Sequence, residues 1–147
     1  MNELYSLYQE LILDHGTAPR NYGCLSGSAV GQAEGVNPLC GDKVTVYLRV
    51  KDGRVKDIQF EGKGCAISVA SASLMTELFQ GKTPAEVEAL WCIFKEVLVT
   101  EITPPETLGK VQALTGVRAF PARVKCATLA WHTALAALKA QQKENPS

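Results

Sequence analysis

The sequence predicts an α+β fold, a three-stranded antiparallel sheet packed on one face by about four to five helices. Three observations carry that expectation. Val44, Val46, Leu48 and Val50 alternate with Lys43, Thr45, Tyr47 and Arg49, the two-residue period of a half-buried strand. Lys51-Asp52-Gly53-Arg54 then reads as a hairpin, because Asp-Gly takes the positive φ angles of a type I′ turn. After Cys65, by contrast, the apolar residues fall at helical spacing to the end of the chain.

The elements follow in order. From Asn2 to His15, Leu4, Leu7, Tyr8, Leu11 and Ile12 form one apolar stripe, so an amphipathic helix opens the chain. The breakers from Gly16 to Gly23 end it, and a Gly- and Ser-rich loop leads to a weak strand over Ala29 to Gly35. The long alternating strand comes next, then the hairpin partner from Val55 to Glu61, with Ile58 and Phe60 on one face. Clean alternation on the long strand predicts a sheet with one exposed face. Ile67, Ala70, Leu74 and Leu78 mark the next helix, stopped by Gln80-Gly81. Thr83-Pro84-Ala85-Glu86 supplies an N-cap, a first-turn proline and a capping-box glutamate for a helix reaching Leu98. Thr103-Pro104-Pro105-Glu106 repeats that signal before a short helix ending near Leu114 to Gly116. Pro121 precedes a last helix carrying Leu129, Ala130, Leu135 and Leu138, and the polar residues 141–147 read as a frayed tail. No repeat and no long linker divides residues 1–147, so a single domain is expected.

Composition narrows the function classes. Fifteen basic and fifteen acidic residues cancel, so no global field draws the chain to nucleic acid or an anionic membrane. No apolar run approaches the roughly 20 residues of a membrane span. The first residues carry no basic region and no apolar signal core, which makes a cytoplasmic location the expectation. The stretch Gly23 to Gly35 lacks the lysine and hydroxyl of a phosphate loop. Five cysteines, an odd number without a secretion signal, argue for thiol or metal chemistry over a disulfide framework.

Three of those cysteines sit in loop-edge settings. Cys40 lies in Asn37-Pro38-Leu39-Cys40-Gly41-Asp42, Cys65 follows Gly64, and Cys126 follows Arg123-Val124-Lys125. Accessible backbone and nearby cations suit a reactive or metal-bound sulfur, whereas a structural cysteine is usually set among apolar neighbours. Cys65 and Cys126 stand at expected helix starts, where free amides favour a thiolate. Asp42 is the natural fourth ligand, and Gly41 lets the backbone bend so that Cys40 and Asp42 face one point. Arg123 and Lys125 would offset the charge of three thiolates and a carboxylate around a divalent ion. The short Cys-x-x-Cys spacing of zinc ribbons is missing, so the residues alone fit a metal site and unrelated thiols equally well.

Four ordered motifs add a resemblance spanning nearly the whole chain. Pro19-Arg20-Asn21-Tyr22-Gly23, the segment Asn37 to Asp42, the segment Gly64 to Ser73 and Gly81-Lys82-Thr83 resemble the U-type iron–sulfur cluster assembly family, of the IscU and NifU N-terminal kind. A histidine typically precedes the third cysteine in the scaffold branch, and here that position is Lys125. With the extra segment between Gly81 and Arg123, this resembles the SufU branch. The resemblance implies zinc held by Cys40, Asp42, Cys65 and Cys126, with Cys40 accepting persulfide sulfur from a SufS-like cysteine desulfurase. It also implies that Cys40 leaves the metal during transfer while a partner's ligand, such as a histidine, replaces it. A downstream cluster scaffold or an apoprotein would receive the product.

Three function classes follow. The first is a zinc-dependent sulfurtransferase-type partner of a desulfurase, not a stand-alone enzyme. The second is a scaffold that builds a [2Fe–2S] cluster, or holds iron, on the same ligands. The third is a structural zinc domain. Lys125 favours the first over the second, and the glycine-flanked Cys40 disfavours the third. A monomer or weak homo-oligomer is expected, with neither nucleic acid nor membrane as a partner. Among the remaining candidates, Cys92 reads as a buried small hydrophobe in Leu90-Trp91-Cys92-Ile93-Phe94 and Cys24 as an exposed loop residue. His15 reads as a helix C-terminal imidazole, and His132 as a surface or interface residue.

Overall fold

The computed structural model describes the backbone of residues 3–38 and 41–144 and the side chains of residues 8–38 and 41–142. Strands β1 (Val30–Asn37), β2 (Asp42–Lys51) and β3 (Arg54–Lys63) form one antiparallel sheet in the order β1-β2-β3. The β2–β3 turn takes the expected form, with Asp52 at φ 55° and Gly53 at φ 74°. Val44, Val46, Leu48 and Val50 point to the core, as their alternation requires.

Among the described residues there are five helical elements: α1 (Glu3–Thr17), α2 (Ala66–Phe79), α3 (Pro84–Val99), a 3-10 segment (Glu106–Ala119) and α4 (Pro121–Glu144). Leu4 and Leu7, which the sequence places on the α1 stripe, lie outside the described side chains, whereas Leu11 and Ile12 pack against the core. Thr83 caps α3 through a complete capping box: its hydroxyl accepts from the Glu86 amide at 3.2 Å, and its own amide donates to Glu86 Oε1 at 3.0 Å. Helix α4 lies along β1 and β2 and also packs on α2. It comes so close that a Cβ at Gly31 of β1 would collide with the Ala137 carbonyl and with Gln141.

Trp131 of α4 anchors the core. Its ring stacks on Phe94 at 4.2 Å between centroids and meets Phe79 edge-on at 5.1 Å. Its indole Nε1 donates to Ser71 Oγ at 3.0 Å, and that hydroxyl donates in turn to the Ala127 carbonyl. Cutting the ring back to a methyl group would cost about 3–5 kcal/mol in a packed core.

Four expectations change on contact with the structure. The second Thr-Pro signal does not open an α-helix at Thr103. Pro104 precedes Pro105, and a residue before proline is steered out of the helical region, so the helical turns begin only at Glu106 and run as 3-10 turns with a kink at Gly109, φ 53°. The frayed tail does not begin at Gln141, which is helical and 2% exposed because β1 receives it over Gly31. Residues 145–147 of that tail lie outside the described residues. The outer sheet face is only partly open, since residues 23–27 run across it: Arg49 donates to the Ser26 carbonyl at 3.1 Å, and Tyr47 is buried and bonded to Glu61. That carboxylate partner pushes the Tyr47 hydroxyl up to about 12. Cys92, finally, is exposed.

Candidate metal centre

Three element starts meet at one end of the sheet. Asp42 is the first residue of β2, Cys65 is the N-cap of α2 just beyond β3, and Cys126 lies in the second turn of α4. One carboxylate oxygen and the two sulfurs lie within 4.8 Å of one another. Cys126 is fully buried, Asp42 is 2% exposed, and Cys65 is half-buried. Zinc holds thiolate sulfur at about 2.3 Å and carboxylate oxygen at about 2.0–2.2 Å, so atoms this close can share one ion after a small adjustment.

Asp42 supplies the sharpest test of fit. Its Oδ1 accepts the Cys65 amide at 3.2 Å, whereas its buried Oδ2 has no hydrogen-bond partner among the described residues. A carboxylate oxygen withdrawn from water and left unpaired is costly, and a cation coordinated there removes the cost. Gly64 is what lets the carboxylate sit so near Cys65, since a Cβ there would stand 3.0 Å from Asp42 Oδ1 and from Ser68 Oγ. Cys65, the N-cap of α2, makes no side-chain capping hydrogen bond, so the first-turn amides are left to other acceptors. The donor set, two thiols and a hard oxygen, is one that zinc accepts.

Of the two flanking cations, Arg123 turns toward the sulfurs. Its hydrogen bond to Cys126 and the fields of Cys65 and Cys126 raise its guanidinium above the ordinary arginine value. Lys125 is exposed on the flank of α4. Cys40 lies outside the described residues; Gly41, the next residue in sequence, has φ 74° and donates its amide to the Asn37 carbonyl at 2.9 Å. Asn37 was not anticipated: it is buried and directly opposite Asp42 in the β1–β2 ladder. Ser68, against Gly64, was missed as well. The sequence placed it only within the motif segment Gly64 to Ser73, with nothing to set it apart from the other residues there.

The histidines stand apart from the cluster. His15 stands in the last turn of α1, as expected, and is fully buried, with Nδ1 2.6 Å from Ser73 Oγ. Burial, with Arg20 adding, lowers it from its ordinary value. His132 is largely exposed and meets the Trp91 ring edge-on at 4.6 Å; partial desolvation there, with the Lys95 charge adding, lowers it too. Cys24 is exposed, as expected.

The profile of the NifU-like N terminal domain matches residues 7–145. The chain belongs to that family. A NifU-like protein (N-terminal) from Brucella abortus superposes with a TM-score of 0.85 at 26% identity, over 97% of this chain and 99% of that one. The zinc-dependent sulfurtransferase SufU of Bacillus subtilis is 42% identical over 129 residues, 87% of this chain and 86% of that protein. The iron-sulfur cluster assembly scaffold protein IscU of Streptococcus pyogenes is 38% identical over 140 residues, 95% of this chain and 87% of that protein. The NifU-like fold thus carries both a sulfurtransferase and a scaffold among this chain's relatives. No helix among the described residues is long and apolar enough to cross a membrane.

Proposed function

We propose that this protein serves iron–sulfur cluster assembly as a zinc-dependent acceptor of sulfur from a cysteine desulfurase. The observation that carries the reading is the Asp42–Cys65–Cys126 cluster with its unpartnered Asp42 oxygen. The 42% identity to a protein named for zinc-dependent sulfur transfer supports it. Asp42, Cys65 and Cys126 would hold the ion, with Cys40 as fourth donor. Bound zinc keeps its thiolates deprotonated and shields them from oxidation.

The transfer itself needs only thiol chemistry. The Cys40 thiolate attacks the outer sulfur of the donor's persulfide, a new sulfur–sulfur bond forms on Cys40, and the donor's own bond breaks. The donor cysteine leaves as a thiolate, so the exchange needs no outside oxidant or reductant. Buried Asp42 and Cys126 give a fixed floor to the site, and Arg123 supplies positive charge beside the sulfurs. The 38% identity to a scaffold protein favours a second reading, in which the same four residues hold a [2Fe–2S] cluster.

Elemental analysis and the visible spectrum of protein purified without added metal separate the two. We expect a colourless protein with about one equivalent of zinc. Cys65→Ala and Cys126→Ala should lose most of it, Asp42→Ala less, and Cys24→Ser and Cys92→Ser none. Added to a desulfurase with cysteine and reductant, the wild type should raise alanine production and Cys40→Ala should not. A brown protein with iron and acid-labile sulfide would replace this reading by the scaffold one.

A further inference from the structure

We propose that Ser71 is a positioning residue for the metal centre: its hydroxyl sets where α4 stands against α2, and so where the Cys126 sulfur stands against Cys65 and Asp42. The inference rests on the zinc site of the reading above and is independent of the sulfur transfer. Cys65 is the N-cap of α2, and Ser71 lies farther along the same helix; Cys126 and Ala127 are neighbours on α4. The Ser71 hydroxyl donates to the Ala127 carbonyl and accepts the Trp131 indole N–H at 3.0 Å. One side chain of α2 thus grips α4 beside Cys126 and again a turn later. A carbonyl oxygen has two lone pairs, so the Ala127 carbonyl can take the Ser71 hydroxyl and still serve its own helix. Ser71, Cys126, Ala127 and Trp131 are all fully buried, where no water stands ready to replace a lost partner.

Apolar packing fixes that placement less sharply. Ala127, Ala130, Ala134 and Ala137 make up much of the buried surface of α4, and contact between small apolar side chains is non-directional. A hydrogen bond has a preferred distance and angle. Ligation is exacting, since zinc holds thiolate sulfur at about 2.3 Å. Ser73 offers the comparison. It is two residues farther along α2 and equally buried, but its hydroxyl accepts the Arg20 amide at 2.9 Å and lies 2.6 Å from His15 Nδ1. Ser73 therefore serves α1 and the segment after it. Removing either hydroxyl deletes two hydrogen bonds from the interior, but only Ser71 stands on the path from Cys65 to Cys126.

The test compares Ser71→Ala with Ser73→Ala and Trp131→Phe in the full chain, well below the Tm of each. Zinc affinity is read by competition with a chromophoric chelator. Cobalt(II) in place of zinc reports the number and arrangement of its thiolates through its absorption bands. We expect Ser71→Ala to bind zinc about tenfold more weakly, the usual scale for a group that orients a ligand, and to alter the cobalt bands. Ser73→Ala should lose a similar amount of Tm and keep both the affinity and the bands of the wild type. Trp131→Phe removes the indole donor and leaves the bond from Ser71 to Ala127. It should lower Tm without changing the cobalt bands, and it decides the matter should Ser71→Ala not fold. Wild-type zinc affinity in Ser71→Ala would overturn the proposal. So would equal weakening in Ser71→Ala and Ser73→Ala, or altered bands in Trp131→Phe, because the metal would then follow general stability. A wild type that takes up neither zinc nor cobalt would remove the zinc reading, and this inference with it.

Discussion

Gly64 illustrates how one missing side chain governs a site. Its backbone is unremarkable, and the demand on it is steric: a methyl group there would stand 3.0 Å from Asp42 Oδ1 and from Ser68 Cβ. Gly64→Ala should therefore push the Asp42 carboxylate out of the cluster, lowering zinc content and costing about 1–3 kcal/mol of stability. Gly116→Ala, where a Cβ meets nothing within 4 Å, is the matched control and should change neither. Undiminished zinc in Gly64→Ala would show that Asp42 does not need its present position. At this scale the motifs pointed to Cys65 and Cys126, which the structure brings within 4.8 Å of each other and of Asp42. The sequence misled at Cys92, where apolar neighbours suggested burial. The buried residues of α3 are Val87, Leu90, Trp91, Phe94, Val97 and Leu98, a helical stripe that leaves Cys92 facing outward. Periodicity, not neighbouring composition, held the answer.

Between elements, His15 clasps α1 to α2 through Ser73, and its Nε2 lies 3.7 Å from Glu77 Oε1, which Lys110 of the 3-10 segment also approaches at 3.9 Å. Burial holds the imidazole below its ordinary value; Arg20 and Lys110 act in the same sense, and Glu77 and Asp14 oppose them. The folded protein thus takes up this proton later than the unfolded chain. The stability contributed by neutral His15 is complete above a pH of about 6.5 and declines as pH falls from there toward the folded value. The Tm gap between wild type and His15→Gln should accordingly be wider at pH 7.5 than at pH 5.5. An equal gap at both values would mean that His15 does not titrate in this range. Nothing near His15 in sequence announces this clasp, since Ser73 is 58 positions away. Elements were legible where local chemistry sets them, as in the Asp52-Gly53 turn and the Thr83 capping box. The 3-10 segment escaped because Pro104 before Pro105 cancels a helix start that looks complete when read residue by residue.

Across the whole molecule, the candidate centre joins the start of β2, the start of α2 and the start of α4, pieces far apart in the chain. An ion held there ties together segments whose association costs loop entropy, so its binding energy is also folding energy. Chelation should lower Tm on the order of 5–10 °C, and added zinc should restore it. A Tm indifferent to chelator would sever metal from fold. The convergence itself was not visible in the spacing of the three residues; only the assembled sheet end brings them together. Trp131 makes that assembly observable. It is fully buried, five residues past Cys126 on the same helix, bonded to Ser71 of α2 and only 6.2 Å from the ring of Trp91. Both indoles of the chain are therefore one optical reporter. Loosening α4 from α2 shifts their emission to the red and removes the near-ultraviolet dichroism of the coupled pair, so the coming and going of an ion with no colour of its own can be followed by light.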